Sequence, residues 1–252
     1  MGLFNKLGIG VGHAPREGTR ALPEARNRHN GNGNGRATAV AVGAHREPEL
    51  QTTTRVSNGL KDFLWNLEGL GRGTLLDLGP AWQTTLNFFI ERGFRVTSED
   101  ILRGWVEFQA EESAVKKEDM TADDYAARTP EALAQKFLNE NLQYGPRSFD
   151  ALLLWDILDY TEPTLGKMMV NHVTEMLRPG GVVLALFHSK KPEGFQRYRV
   201  VDTNTLQVLS AKTILPAQKV FQNREIQELF GRFRSMKSYI GRDQLRETLF
   251  LK

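Results

Sequence analysis

Gly73-Thr74-Leu75-Leu76-Asp77-Leu78-Gly79 reads as a short, fully buried strand that runs into a glycine turn. The next stretch has the texture of a helix, with Leu86, Phe89 and Ile90 on one face and Gly93 as its stop. Phe94-Arg95-Val96-Thr97-Ser98 is then a second strand, ending at Glu99-Asp100. An apolar strand closed by a tight turn, a short helix and another strand form one α/β unit, and that unit pairs its strands in parallel.

The same alternation continues toward the C-terminus. Residues 101–136 read as mainly helical and polar, anchored by Trp105, Phe108 and Leu133. Phe149-Asp150-Ala151-Leu152-Leu153-Leu154-Trp155 is a strongly apolar strand. Pro163 suits the first turn of the following helix, where its missing N–H does no harm. Arg178-Pro179-Gly180-Gly181 is expected to stop that helix, before a buried strand over 182–187. Residues 197–202 and 206–211 alternate around a hairpin turn, and 222–230 is a short helix. Residues 234–240 and 245–251 are strands joined by Gly241-Arg242-Asp243-Gln244, a link too short for a parallel crossover, so they are antiparallel.

Toward the N-terminus the spacing of Val56, Leu60, Phe63, Leu64, Leu67 and Leu70 predicts an amphipathic helix, with the Thr52–Thr54 run capping its start. Before it the texture breaks. Residues 1–50 hold nine of the 23 glycines and the low-complexity run His29-Asn30-Gly31-Asn32-Gly33-Asn34-Gly35. Such a segment has no apolar periodicity to repay its ordering entropy, so 1–50 is expected to be a disordered tail and 51–252 the folded domain.

Of 252 residues, 40% are hydrophobic and 25% charged, an ordinary globular composition. The net charge of +3 lies entirely in the tail, which has seven basic and four acidic side chains; the body is balanced. A neutral body argues against a dedicated nucleic-acid-binding domain. The absence of cysteine excludes disulfides, thiolate metal sites and cysteine nucleophiles. No metal site is expected: His13, His29 and His45 are too widely spaced. There is no run of about 18 apolar residues and no secretory-signal core at Met1–Lys6, so a cytoplasmic protein without a membrane span is expected.

The order of elements over 52–252 resembles the class I S-adenosylmethionine-dependent methyltransferases. The resemblance is carried by Leu75–Gly79, Val96–Asp100, Ser148–Asp156 and Leu177–Gly181. It implies a Rossmann-like sheet of seven mostly parallel strands, the last inserted antiparallel beside the fifth, with helices on both faces. It also implies S-adenosylmethionine as cofactor and methyl transfer to an unidentified small or macromolecular acceptor.

Residue by residue, the resemblance places Asp77, Gly79 and Ala81 at the methionine end of the cofactor. There, glycines let the backbone approach and a helix N-terminus adds positive charge. Only the first glycine of the family's loop is present; Asp77-Leu78-Gly79-Pro80-Ala81-Trp82-Gln83 departs from it after Gly79. Asp100 falls where the family has the acid that accepts both ribose hydroxyls, a task suited to an acceptor-only carboxylate. Asn139, Glu140 and Asn141 are alternatives beside the adenine, and Asn141 is the expected contact.

Trp155 is open to two readings, cation–π contact with the sulfonium or core packing. Asp156 could order water, contact the cofactor or act as a base, and His188 could be a base for an oxygen or nitrogen nucleophile. Asp159 reads as a helix cap. Arg197, Tyr198 and Arg199 either line an anionic acceptor or form an exposed strand. The departure in the glycine loop keeps a second function open, a methyltransferase-like binding or regulatory module without catalysis. A nicotinamide-dependent enzyme fits poorly, because Gly79-Pro80-Ala81-Trp82-Gln83-Thr84 lacks the second and third glycines of Gly-x-Gly-x-x-Gly.

Overall fold

The computed structural model describes residues 52–114, 121, 125 and 128–252. The tail expected over 1–50, with His13, His29 and His45, lies outside the described residues. In chain order the elements are β1 (Thr52–Val56), α1 (Asn58–Leu67), β2 (Gly73–Asp77), α2 (Gln83–Ile90), β3 (Phe94–Ser98) and α3 (Ile101–Ala114). Then come α4 (Pro130–Asn141), β4 (Phe149–Trp155), α5 (Ile157–Tyr160), α6 (Pro163–Met176) and β5 (Leu177–His188). The chain ends with β6 (Phe195–Val200), β7 (Thr205–Ala211), α7 (Asn223–Leu229), β8 (Ser235–Ile240) and β9 (Leu245–Leu251).

The central sheet has six strands in the order β3-β2-β4-β5-β9-β8. The pairs β2–β3, β2–β4 and β4–β5 are parallel, and β9 is antiparallel to both β5 and β8. The last strand thus sits antiparallel beside β5, as expected. The strand count differs from the expected seven. Among the described residues, the stretch between α3 and β4 forms α4 instead of a further strand. A separate antiparallel sheet, β1-β7-β6, holds the hairpin expected near 197–211.

Burial on both faces explains why β2, β4 and β5 are near-continuous apolar runs. One core packs Leu60 and Phe63 of α1, Phe88 and Phe89 of α2, and Tyr198, Val200 and Leu206 of the small sheet against Leu75, Leu153 and Leu184. The other core packs α3, α4, α6 and α7 against Leu76, Leu152 and Val183, with Trp105 and Phe108 stacked at 5.5 Å. Each fully buried Phe or Leu contributes about 1.5–3 kcal/mol.

Three local expectations change. The Thr52–Thr54 run does not cap α1 but lies in β1, where β-branched residues pair with β7; the cap is Ser57, whose Oγ accepts from Leu60 N at 2.9 Å. Arg178-Pro179-Gly180-Gly181 lies within β5, because Leu177 already pairs with Phe149 and Arg178 Nη1 donates to Asp150 Oδ2 at 2.6 Å. Gly180 supplies φ 80° inside that irregular start. Ile90 points outward, and Thr85, Phe88 and Phe89 form the inner face of α2.

Candidate active site at the carboxyl edge of the sheet

The chain leaves β2 toward β3 on one side and later returns to place β4 on the other. The crevice between the carboxyl ends of β2 and β4 is therefore a topological switch point, where open α/β sheets bind ligands. Asp77 ends β2 there and is 1% exposed. Its Oδ1 accepts from Gly79 N at 2.9 Å and from Trp155 Nε1 at 2.6 Å. Burial pushes its carboxyl up to about 6, against the pull of those two donors. Ser98 Oγ donates to Gly79 O at 3.0 Å and Glu99 N to Asp77 O at 2.8 Å, so the turn is tied to β3.

Trp155 fills the space beside Gly79. A Cβ on Gly79 would lie 2.7 Å from Trp155 Nε1 and 2.8 Å from its Cδ1. The indole gets there through a bulge. Leu153 faces Leu184 but Trp155 faces Ala185, one residue short of regular pairing, and Trp155 adopts φ 49°. Non-glycine residues rarely take that conformation, which costs about 1–2 kcal/mol. The ring then stacks on Tyr198 at 5.8 Å and 13°.

Asp100 follows β3 and is half-buried, with its Oδ2 accepting from Arg197 Nη2 at 3.2 Å. Neighbouring Glu99 accepts from the Tyr144 hydroxyl, whose ionisation burial and that carboxylate push up to about 12. Asn141 is occupied within α4, donating to Phe137 O at 3.0 Å; its Oδ1 stands against Gly104, one turn after Asp100. Ala81 and Gln83 are exposed, and the Trp82 N-cap of α2 makes no side-chain cap, so the first turn of that helix keeps its donors open.

At the exit of β4, Asp156 is 3% exposed and its Oδ2 accepts from Tyr198 OH at 3.1 Å. Burial and the nearby Asp159 carboxylate push Asp156 up to about 7, with His188 opposing. Asp159 is fully buried and does not serve as a cap: its Oδ2 accepts from His188 N at 2.7 Å and from His188 Nδ1 at 3.0 Å. Burial alone would lower the imidazole, but the Asp159 hydrogen bond and the Asp156 and Asp243 carboxylates hold it above its ordinary value.

Strand β6 lies across this edge and touches each part of it. Arg197 meets Asp100, Tyr198 meets Trp155 and Asp156, and the Arg199 guanidinium sits 5.7 Å above the Trp82 ring. Val200 N donates to Thr85 Oγ1 at 2.9 Å, fixing the strand to α2. On the far side of His188 a cavity of about 370 Å³ opens between β1, the start of β6 and the β8–β9 turn.

Asp77, Gly79, Asp100, Trp155, Asp156 and His188 are thus brought to one edge, with Ala81 at its rim. Asn141 stands apart from the Asp77–Trp155 contact, on α4. Sequence reasoning missed Arg55, which lines the cavity, and Glu247, which pairs with Arg55 at 2.8 Å. The available signal was Arg246-Glu247 inside an otherwise apolar terminal strand, since charges there need partners. Among the described residues, no cluster of three or more His, Asp or Glu side chains could hold a metal ion, and no helix is long and apolar enough to cross a membrane.

No family model and no curated protein matches the chain. Solved structures similar to it include the 1,6-didemethyltoxoflavin-N1-methyltransferase of Burkholderia thailandensis, with bound 1,6-didemethyltoxoflavin and S-adenosylhomocysteine. That likeness has 18% identity and a TM-score of 0.42, covering 78% of this chain and 79% of the other. An S-adenosylmethionine-dependent methyltransferase from Mesorhizobium loti is 13% identical with a TM-score of 0.41, covering 76% and 96%. A third, from Methanosarcina mazei, is 16% identical with a TM-score of 0.39, covering 72% and 93%.

Proposed function

We propose that this chain binds S-adenosylmethionine at the switch point between β2 and β4 and transfers its methyl group to an acceptor. The observation that carries the reading is the convergence of Asp77, Gly79 and Asp100 on the carboxyl ends of two adjacent parallel strands. At the nucleoside end the residues fit once Asp100 gives up its contact with Arg197. Asp100 is a partly exposed, acceptor-only group suited to a pair of ribose hydroxyls, and Ala81 and Gln83 leave the loop beside it open. At the amino-acid end they fit once one side chain, Trp155, turns away from Gly79.

The bound cofactor would supply an electrophilic methyl group on a sulfonium. The protein's own share is binding and orientation. Asp100 would exchange Arg197 for the ribose, Gly79 would admit the backbone to close approach, and the open N-terminus of α2 would face the carboxylate. Tyr198 and Trp155 would form the wall that excludes water from the reacting centre.

The packing of Trp155 onto Gly79 and Asp77 favours one second reading, a methyltransferase-like module that no longer takes the cofactor. Calorimetric titration of the full chain with S-adenosylmethionine and S-adenosylhomocysteine separates the two. The first reading expects micromolar binding of both, abolished in a folded Asp100→Ala variant. Absence of binding at millimolar ligand by a folded protein would overturn it and leave the module.

A further inference from the structure

The cavity beside His188 contains an arrangement that cofactor binding does not use. Asp159 is fully buried and fixes both the backbone N–H and Nδ1 of His188. With Nδ1–H donated to a carboxylate, the imidazole lone pair sits on Nε2, the tautomer a general base requires. His188 lines the cavity of about 370 Å³ together with Thr54, Arg55, Lys190, Gln196 and Asp243. One lining group is unmet: Arg55 Nη1 is buried without a hydrogen-bond partner among the described residues. Buried polar atoms are nearly always satisfied, so such a group points to a bound polar molecule. The wall of the cavity is joined to the cofactor edge by Gln196, whose Oε1 accepts from Tyr198 OH at 3.2 Å.

We propose that this cavity holds the methyl-accepting small molecule, and that His188, positioned by Asp159, takes the proton from its weakly acidic O–H or ring N–H. The proposal rests on the methyl-transfer reading for the word "accepting"; the base and its cavity stand on geometry alone. In the step, the acceptor's O–H or N–H bond breaks, the electron pair stays on oxygen or nitrogen, and the proton moves to Nε2. An acceptor whose lone pair is already free, such as a thioether, would have no need of this base. The size of the cavity suits a small molecule of one or two rings. The groups facing His188 are Asp156, Asp159 and Tyr160 from the β4–α5 exit, Arg55 from β1, Asp243 from the β8–β9 turn, and Lys190 and Glu193 after β5.

The test uses 4-nitrophenol, whose absorbance reports loss of its proton, added to the full chain without cofactor in buffer acidic enough that the free phenol keeps its proton. Binding with conversion to the phenolate is expected. Two variants locate it. His188→Gln removes the base and should abolish phenolate formation. Gly194 lines the cavity and a Cβ there meets nothing within 4 Å, so Gly194→Phe can be built without a clash and should weaken binding at least about tenfold by taking up space in the cavity. S-adenosylhomocysteine affinity should be unchanged in Gly194→Phe. No binding by the folded parent, or phenolate formation that survives both variants, overturns the proposal. If the probe behaves as expected but S-adenosylhomocysteine never binds, the cofactor reading fails while the His188 site stands.

Discussion

Trp155 Nε1 donates to Asp77 Oδ1 at 2.6 Å, joining the exits of β4 and β2 across the crevice where a ligand would lie. The bond latches the indole over Gly79, and the stack on Tyr198 holds the latch from above. Trp155→Phe keeps an aromatic ring but removes the donor. Asp77 then retains only Gly79 N, at a cost of about 1–3 kcal/mol in denaturant unfolding. The same loss favours the open crevice. If 1.4 kcal/mol of latch is removed, S-adenosylhomocysteine binds about tenfold more tightly. Unchanged or weaker binding in titration calorimetry would show that Trp155 does not gate the crevice.

Asp77 also predicts a pH signature. Its folded-state value is raised to about 6 from 3.8, so the folded protein holds a proton that the unfolded chain releases. Its contribution to stability is therefore greatest below pH 3.8 and declines as pH rises to about 6, by about 3 kcal/mol in all. Asp77→Asn keeps an acceptor for Gly79 N and Trp155 Nε1 but does not titrate. Its unfolding free energy should gain on the parent between pH 4 and 6 and run parallel above. A constant difference over that range, measured by urea unfolding, would contradict the burial argument.

The elements most legible in the sequence are those whose period matches their burial. The runs at 73–77, 149–155 and 182–187 are apolar at nearly every position because helices cover both faces. The antiparallel end follows from a four-residue link. By contrast, β1 carries no apolar alternation; only its pairing with β7 makes Thr52–Val56 a strand. The site divides in the same way. Gly79 and Asp100 are placed by local chain geometry. The partners of Asp77 and Asp100, Trp155 and Arg197, are 78 and 97 residues away and reach the site through a bulge and a second sheet. Asp159 resembles a cap because it stands near a helix terminus; its contact with His188 is tertiary.

Arg197 competes with any ribose for Asp100. The pair is 3.2 Å long and mostly shielded, with side chains 14% and 22% exposed. Arg197→Gln removes a charged partner from a mostly shielded hydrogen bond and should cost about 1–3 kcal/mol of stability. It should tighten S-adenosylhomocysteine binding several-fold and flatten its salt dependence. In the parent, added salt screens the Arg197–Asp100 pair and favours release of the carboxylate. Equal affinity and equal salt slopes for the two proteins would exclude the competition.

The His188–Asp159 contact can be read without any ligand. Asp159 raises the imidazole against burial, so ¹⁵N resonance titration of His188 should give a midpoint above 6.5. Asp159→Asn removes the charge and leaves burial in control, moving the midpoint below that of the parent. The sign for stability follows. The contribution of the raised imidazole is fully present below pH 6.5 and is lost as pH rises through the folded-state value. A midpoint unmoved by Asp159→Asn would mean that Asp156 and Asp243 set the imidazole instead.

Behind the cavity, Glu247 ties three elements together. It is 2% exposed and accepts from Ser57 Oγ at 2.9 Å, from Gly59 N, and from Arg55 Nη2 at 2.8 Å. Glu247→Ala leaves the mostly buried Arg55 guanidinium with Asp243 alone and takes the acceptor from Ser57 Oγ and Gly59 N, a loss of about 3–5 kcal/mol. The approach of α1 is equally close, since a Cβ on Gly59 would lie 2.8 Å from Glu247 Cβ. Gly59→Ala should therefore be destabilising alone. Its cost should persist in the Glu247→Ala background, because that clash is with an atom alanine keeps. Glu247→Gly relieves it. A double-mutant cycle in which Gly59→Ala costs the same beside Glu247→Gly as in the parent would show that Leu184 Cδ1, which a Cβ on Gly59 would also approach to 3.0 Å, sets the docking distance of α1 and Glu247 does not.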